Sequence, residues 1–198
     1  MCRKKEQDMD ICVEHLCKTY GMTTVLNDFS FVFPEGKTTC IMGRSGIGKT
    51  TLLSILMGIE TADSGTVTGV EGKKLAAVFQ ENRLFENLDA IRNIEVVTGR
   101  KQEEIKALLD ELLLPAEERK PVAAYSGGMK RRVAIARALL ADADILFLDE
   151  PLQGLDGETK EQVAGVMREQ MQGKTVLLVT HEGSECDFFG AECVFYCS

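Results

Sequence analysis

"TTCIMGRSGIGKTTLLSILMGI" (residues 38–59) is a short apolar run, a glycine-rich stretch and a second apolar run, and its reading decides the fold. The middle part, "GRSGIGKT" (43–50), has a glycine, four residues and then Gly-Lys-Thr. Placed between a strand and a helix, that spacing is the pattern of a phosphate-cradling loop. Gly43, Gly46 and Gly48 allow a tight turn that aims backbone N–H groups inward, and the helix that follows adds the positive end of its dipole. Lys49 brings a point charge for the phosphates, and the Thr50 hydroxyl suits a magnesium ion.

Outward from the loop, strands alternate with helices. Residues 11–20 and 25–33 read as two strands joined by "GMTT", with "SGTVTG" (64–69) a further antiparallel strand. "KLAAVF" (74–79), "DILFL" (144–148), "TVLLVT" (175–180) and "ECVFYC" (192–197) complete the strands. Helices are expected over 49–59, 89–98, 102–114, 127–141 and 158–171, the third closed by Pro115. Runs such as "ILFL" and "VLLV" fit strands buried on both faces of a parallel sheet. The expected class is α/β, with a mainly parallel core sheet, a small antiparallel β subdomain and a short helical insert at about 86–125.

Ligands of such sheets bind beyond the carboxyl ends of the strands. Here "TTCIM" runs into the glycine loop, "LAAVF" into Gln80, "ILFL" into Asp149 and Glu150, and "VLLVT" into His181. Asp149 is placed to hold Mg2+ and Glu150 to act as general base on a water. Alone, Gln80 is a loop residue and His181 a satisfied histidine. Beside the phosphate loop, both read as groups that position the γ-phosphate or the attacking water.

A second glycine opening occurs in "AAYSGGMKRRVAIARALL" (123–140). Ser126 is a good helix cap, and Gly127 and Gly128 leave N–H groups open to a ligand. Lys130, Arg131 and Arg132 follow in the first turns, where the dipole disfavours cations, so the segment reads as a second anion-binding element. Its alternative is a capped helix with a solvated basic face.

Bulk properties narrow the field. With 198 residues the chain is long enough for one domain, and a net charge of −8 argues against wrapping nucleic acid. The seven cysteines form no CxxC pair, and the charged start "MCRKKEQDMD" has no leader-like apolar stretch, which points to reduced cytosolic thiols. No apolar run is long enough to span a membrane. A GTPase would want "NKxD", which is absent, and "DFFG" (187–190) falls after every other motif. A small-molecule kinase has no use for "YSGGM".

In order, "GRSGIGKT", "VFQENRLF", "YSGGMKRRVAIARALL", "ILFLDEPLQGLD" and "LLVTHE" resemble the motifs of an ABC-type ATPase subunit, over about residues 11–197. The resemblance implies a P-loop NTPase fold, with 1–198 as one ATPase domain. It implies ATP contacts from Gly43, Arg44, Ser45, Gly46, Ile47, Gly48, Lys49, Thr50 and Thr51. Tyr20 would stack on adenine, and Thr50, Gln80 and Asp149 would hold Mg2+. Glu150, His181 and Gln80 would serve hydrolysis. Ser126, Gly127 and Gly128 would touch ATP held by a second copy in a head-to-tail dimer, with "GLD" (154–156) crossing the interface.

Implied partners are integral membrane permease subunits and an extracytoplasmic solute-binding protein, with the chain cytoplasmic and peripheral on the inner face of the membrane. The nearest subgroup is the nitrate, sulfonate and taurine-type importers, powering uptake of a small solute. The alternative is a soluble ABC ATPase serving an assembly such as iron–sulfur cluster biogenesis. Two departures stand out: Met129 where the family usually has Gln, and Leu152-Gln153 ahead of "GLD". No regulatory domain is expected after the last strand. In "ENRLFENLDAI" (81–91), Leu84, Phe85, Leu88 and Ile91 either line a groove for a permease helix or pack the insert's own core.

Overall fold

The computed structural model describes residues 10–114, 120–191 and 193–196. Strands β1 (Ile11–Tyr20) and β2 (Thr23–Phe33) form an antiparallel hairpin that turns at Gly21, with Tyr20 opposite Thr23. Strand β4 (Ser64–Thr68) pairs antiparallel with the other edge of β1. The second sheet holds β3 (Thr38–Met42), β5 (Leu75–Val78), β6 (Ile145–Asp149), β7 (Thr175–Val179) and β8 (Cys193–Tyr196) in the order β5-β6-β7-β3-β8. Every pairing in it is parallel.

All residues of β6 and β7 are buried, which is why their sequences are unbroken apolar runs. Their side chains alternate between two cores. Ile145, Phe147, Leu177, Val179 and Ile41 meet Leu52 and Leu53 of α1 (Lys49–Leu56) and the inner face of the hairpin, including Val13, Leu26 and Phe33. Leu146, Leu148, Val176 and Leu178 meet the helices α2 (Ala90–Thr98), α3 (Gln102–Glu111), α4 (Gly127–Leu139), α5 (Gly157–Gln170) and α6 (Gly183–Phe188) on the opposite face. Helices α2 and α3 lie between β5 and α4 in sequence and are followed by a short 3-10 turn at Val122–Ala124.

Helix ends differ from the sequence reading for local reasons. Helix α1 stops at Leu56 rather than 59 because Gly58, at φ 69°, turns left-handed and donates to the Ile55 carbonyl at 2.9 Å. Helix α3 stops at Glu111 because Leu113 adopts φ 55°. Pro115 lies outside the described residues, as do Glu192 and Cys197 of the expected last strand. Helix α6 escapes a reading by periodicity, since "GSECDF" carries no helical period.

The cysteine reading needs correction. Cys40 of β3 and Cys186 of α6 are joined by a disulfide, with Cα atoms 5.7 Å apart. No local pattern announces it, because 146 positions separate the two. They meet because β3 pairs with β7 and the chain leaves β7 through a short loop into α6. Among the described residues, no helix is long and apolar enough to cross a membrane.

Candidate active site

A cleft opens at the carboxyl ends of the parallel strands. The loop after β3 and the start of α1 contribute Ser45, Gly46, Gly48, Lys49, Thr50 and Thr51, and the ends of β5, β6 and β7 contribute Gln80, Asp149, Glu150 and His181. Val25 of β2 is a further wall, which the sequence reading missed. A Cβ on Gly48 would stand 2.4 Å from the Val25 carbonyl oxygen, and Gly48 itself sits at φ 103°. That position is therefore closed to any side chain on two counts. A contact made through a backbone carbonyl leaves no mark on residue type, so no signal in the sequence announced Val25.

Lys49 is only 6% exposed. Its ammonium donates to the carbonyls of Gly43 and Arg44, at 2.8 and 2.9 Å, so the loop is wrapped around the charge. Gly43, Arg44 and Ile47 belong to this loop without lining the cleft. The Thr50 hydroxyl donates to Asp149 Oδ2 at 2.7 Å. Asp149 is 4% exposed, and burial pushes its carboxyl above the ordinary carboxylate range, against the Thr50 hydrogen bond, which lowers it.

Glu150 follows immediately, at φ 49°, a left-handed backbone that costs a non-glycine residue energy. Its N–H donates to the Val179 carbonyl at 2.9 Å, which ties the turn after β6 to the end of the neighbouring strand β7. Its carboxylate Oε1 lies 2.8 Å from His181 Nε2. The strained turn thus aims one carboxylate at the histidine on the neighbouring strand end, beside the Thr50–Asp149 pair.

Four predicted residues, Tyr20, Ser126, Gly127 and Gly128, lie outside the cleft and its loop. Ser126 caps α4, its hydroxyl accepting the Met129 N–H at 3.2 Å, but neither it nor Gly127 and Gly128 line the cleft. Tyr20 stands at the hairpin tip, 47% exposed, with the Lys18 ammonium 5.2 Å from its ring centre. Met129 is half-buried and packs partly against the helical core.

The cationic shoulder of α4 does not face an open anion site. Lys130 pairs with Glu86 at 3.4 Å, and Arg132 donates to the Leu112 and Leu113 carbonyls. Arg131 is buried and donates to the carbonyls of Phe79 and Gln80. Burial lowers the Arg131 guanidinium below its usual pKa, while the Asp149 and Glu150 charges raise it.

Residues 26–153 match the ABC transporter family. The chain belongs to that family. The cassette is 38% identical over 190 residues to the aliphatic sulfonates import ATP-binding protein SsuB of Yersinia pestis, covering 90% of this chain and 69% of that one. It is 32% identical to the lantibiotic transport ATP-binding protein SrtF of Streptococcus pyogenes, covering 90% and 84%. Among solved structures, a dimeric post-hydrolysis state of the ATP-binding cassette MJ0796, bound to ADP and Pi, superposes with a TM-score of 0.84 at 27% identity, covering 95% of this chain and 94% of that one. The cassette is an ABC-type ATPase with a P-loop NTPase fold.

The folded-state Asp149 carboxyl titrates above its unfolded value. It therefore favours folding below the unfolded pKa, and that contribution is lost as pH rises through the folded one. Asp149→Asn keeps an acceptor for Thr50 and removes the buried charge. Its Tm at neutral pH is expected to rise by about 3 °C, the shift that ~1 kcal/mol produces in a chain of this size. The gain shrinks at acid pH, where the wild-type carboxyl is already neutral. Melting curves at both pH values check this, and an unchanged or lower neutral Tm refutes it.

Proposed function

We propose that two copies of the cassette close head to tail on two ATP molecules and power uptake of a small solute through integral membrane permease subunits. The observation that carries the dimer is the start of α4. A Cβ on Gly127 would meet no atom within 4 Å, and Ser126 already caps the helix. Nothing packed among the described residues of the same chain asks for glycine there, whereas a ligand brought by a second copy needs the bare N–H groups. Gly128 lies against Leu155 and Gly154, so the "GLD" loop shares that face.

Within one site, Lys49 binds the β- and γ-phosphates, and Gly43, Arg44, Ser45, Gly46, Ile47, Gly48, Thr50 and Thr51 surround them. Tyr20 stacks on adenine. The hydroxyl of Thr50, the carboxylate of Asp149 and the amide oxygen of Gln80 form a hard-oxygen set that fits Mg2+, and the 2.7 Å Thr50–Asp149 contact already brings two of them together. Bound there, the ion neutralises charge on the phosphate oxygens. Glu150 accepts a proton from water as the water oxygen bonds to the γ-phosphorus and the bond to ADP breaks. His181 holds that carboxylate in line, and Gln80 orients the water. Residues 86–125 form the helical insert of one domain spanning 1–198.

Import as the direction rests on the sulfonate-type relatives, and it adds an extracytoplasmic solute-binding protein as a further partner. The cassette then sits in the cytoplasm on the inner face of the membrane. Of the residues expected to meet the permease, Ile91 is buried, Leu84 packs partly against the helical core and Leu88 is half-buried, whereas Phe85 is 51% exposed. Val96 and Val97 of α2, which the sequence did not single out, are exposed as well. Phe85 is the docking residue. Co-expression with the neighbouring genes should bring a permease down with the cassette, and Phe85→Asp should release it. An aromatic anchor is worth about 2 kcal/mol or more, roughly thirty-fold in affinity. Full co-purification of a folded Phe85→Asp protein refutes this surface. Capture of a soluble iron–sulfur assembly protein in place of a permease refutes the transport reading.

A further inference from the structure

The buried guanidinium of Arg131 has no place in the chemistry above. It is 5% exposed in the interior of the protein, on the helix that Ser126 caps and that opens with Gly127 and Gly128. Burying a cation is costly unless it is matched by acceptors of fitting shape. The match here is a forked one. One terminal nitrogen donates to the Phe79 carbonyl at 2.6 Å and the other to the Gln80 carbonyl at 2.8 Å.

Those two carbonyls stand just past the end of β5, whose last ladder partner is Val78 opposite Leu148. Beyond that pair the sheet no longer fixes the chain. Arg137, two turns further along α4, holds the next stretch by donating to the carbonyls of Arg83 at 2.9 Å and Asn82 at 3.2 Å. The segment that carries Gln80 into the cleft is thus gripped from a single helix.

We propose that Arg131 is a positioning residue: it sets where the Gln80 amide meets the metal, and it ties that placement to the helix whose start faces the second copy's ATP. The inference rests on the reading of Gln80 as an Mg2+ ligand. A planar fork suits the task, because only a group that donates along two fixed directions holds two successive carbonyls at once. Movement of α4 then carries Gln80 with it, so one helix touches both nucleotides of the dimer.

The test is metal binding rather than turnover. Mn2+ is titrated by EPR into the full chain loaded with a non-hydrolysable ATP analogue. Arg131→Met keeps the apolar stem and removes both donors. It should weaken Mn2+ binding about tenfold, the usual loss when a group orienting a metal ligand is removed. Analogue affinity in EDTA should stay unchanged, and Arg131→Lys should recover part of the loss. Gln80→Ala should weaken Mn2+ similarly, and Arg131→Met should add nothing on top of it. A shift in Gln80→Ala with none in folded Arg131→Met overturns the role of Arg131 alone, as do fully additive shifts. No shift in Gln80→Ala overturns the reading of Gln80 and the inference with it. If Arg131→Met fails to fold, Arg131→Gln, which keeps one donor, takes its place in the same cycle, and the same outcomes support or overturn the inference.

Discussion

Glu150→Gln should bind ATP as the wild type does and turn it over roughly 10²–10⁴-fold more slowly, the usual worth of a positioned base. The substitution keeps the shape of the side chain and the N–H bond to the Val179 carbonyl, which does not depend on it. Glutamine also accepts the φ 49° backbone as readily as glutamate does. The cassette therefore folds, but the group 2.8 Å from His181 can no longer take up a proton. With closure intact and hydrolysis blocked, an ATP-bound dimer should accumulate on size exclusion. Phosphate-release assays give the rate directly. Hydrolysis at the wild-type rate would end the assignment of Glu150 as the base.

Lys49→Ala should lower nucleotide affinity by at least tenfold. Charge-assisted hydrogen bonds are worth about 1.5–3 kcal/mol each, and the ammonium stands at the first residue of α1, inside the loop. The loss is compounded because the same ammonium organises the carbonyls of Gly43 and Arg44. Lys49→Arg should not restore binding, since a planar fork cannot replace a compact charge within that turn. Calorimetric titration with ATP checks both variants, and an unchanged dissociation constant in Lys49→Ala would place the phosphates elsewhere.

Most of the architecture could be read before any coordinates, for identifiable reasons. Strands β6 and β7 announce themselves because burial on both faces demands continuous apolar runs. The glycine loop does so because its backbone needs glycine where Gly46 and Gly48 turn left-handed. The strand ends could be named because a parallel sheet collects them on one side. What stayed hidden was whatever depends on position without depending on residue type. Val25 acts through a carbonyl. Arg131 belongs to a run of charges that reads as a wet surface or an anion trap, and only packing shows it turning inward. The Cys40–Cys186 bond spans most of the chain. Helix α6 is too short to show a period.

The sheet that divides the two cores is also what joins them. Phe147 and Leu148 are neighbours in the chain, yet each packs with a different set of partners. A strand cannot keep its ladder bonds once either face is flooded, so the two cores act as one cooperative unit. Glu150 and His181 leave the sheet at strands that both cores share. A cavity cut far from the nucleotide, under α5 or behind the hairpin, would lower the melting point of the cleft as surely as one cut beside it.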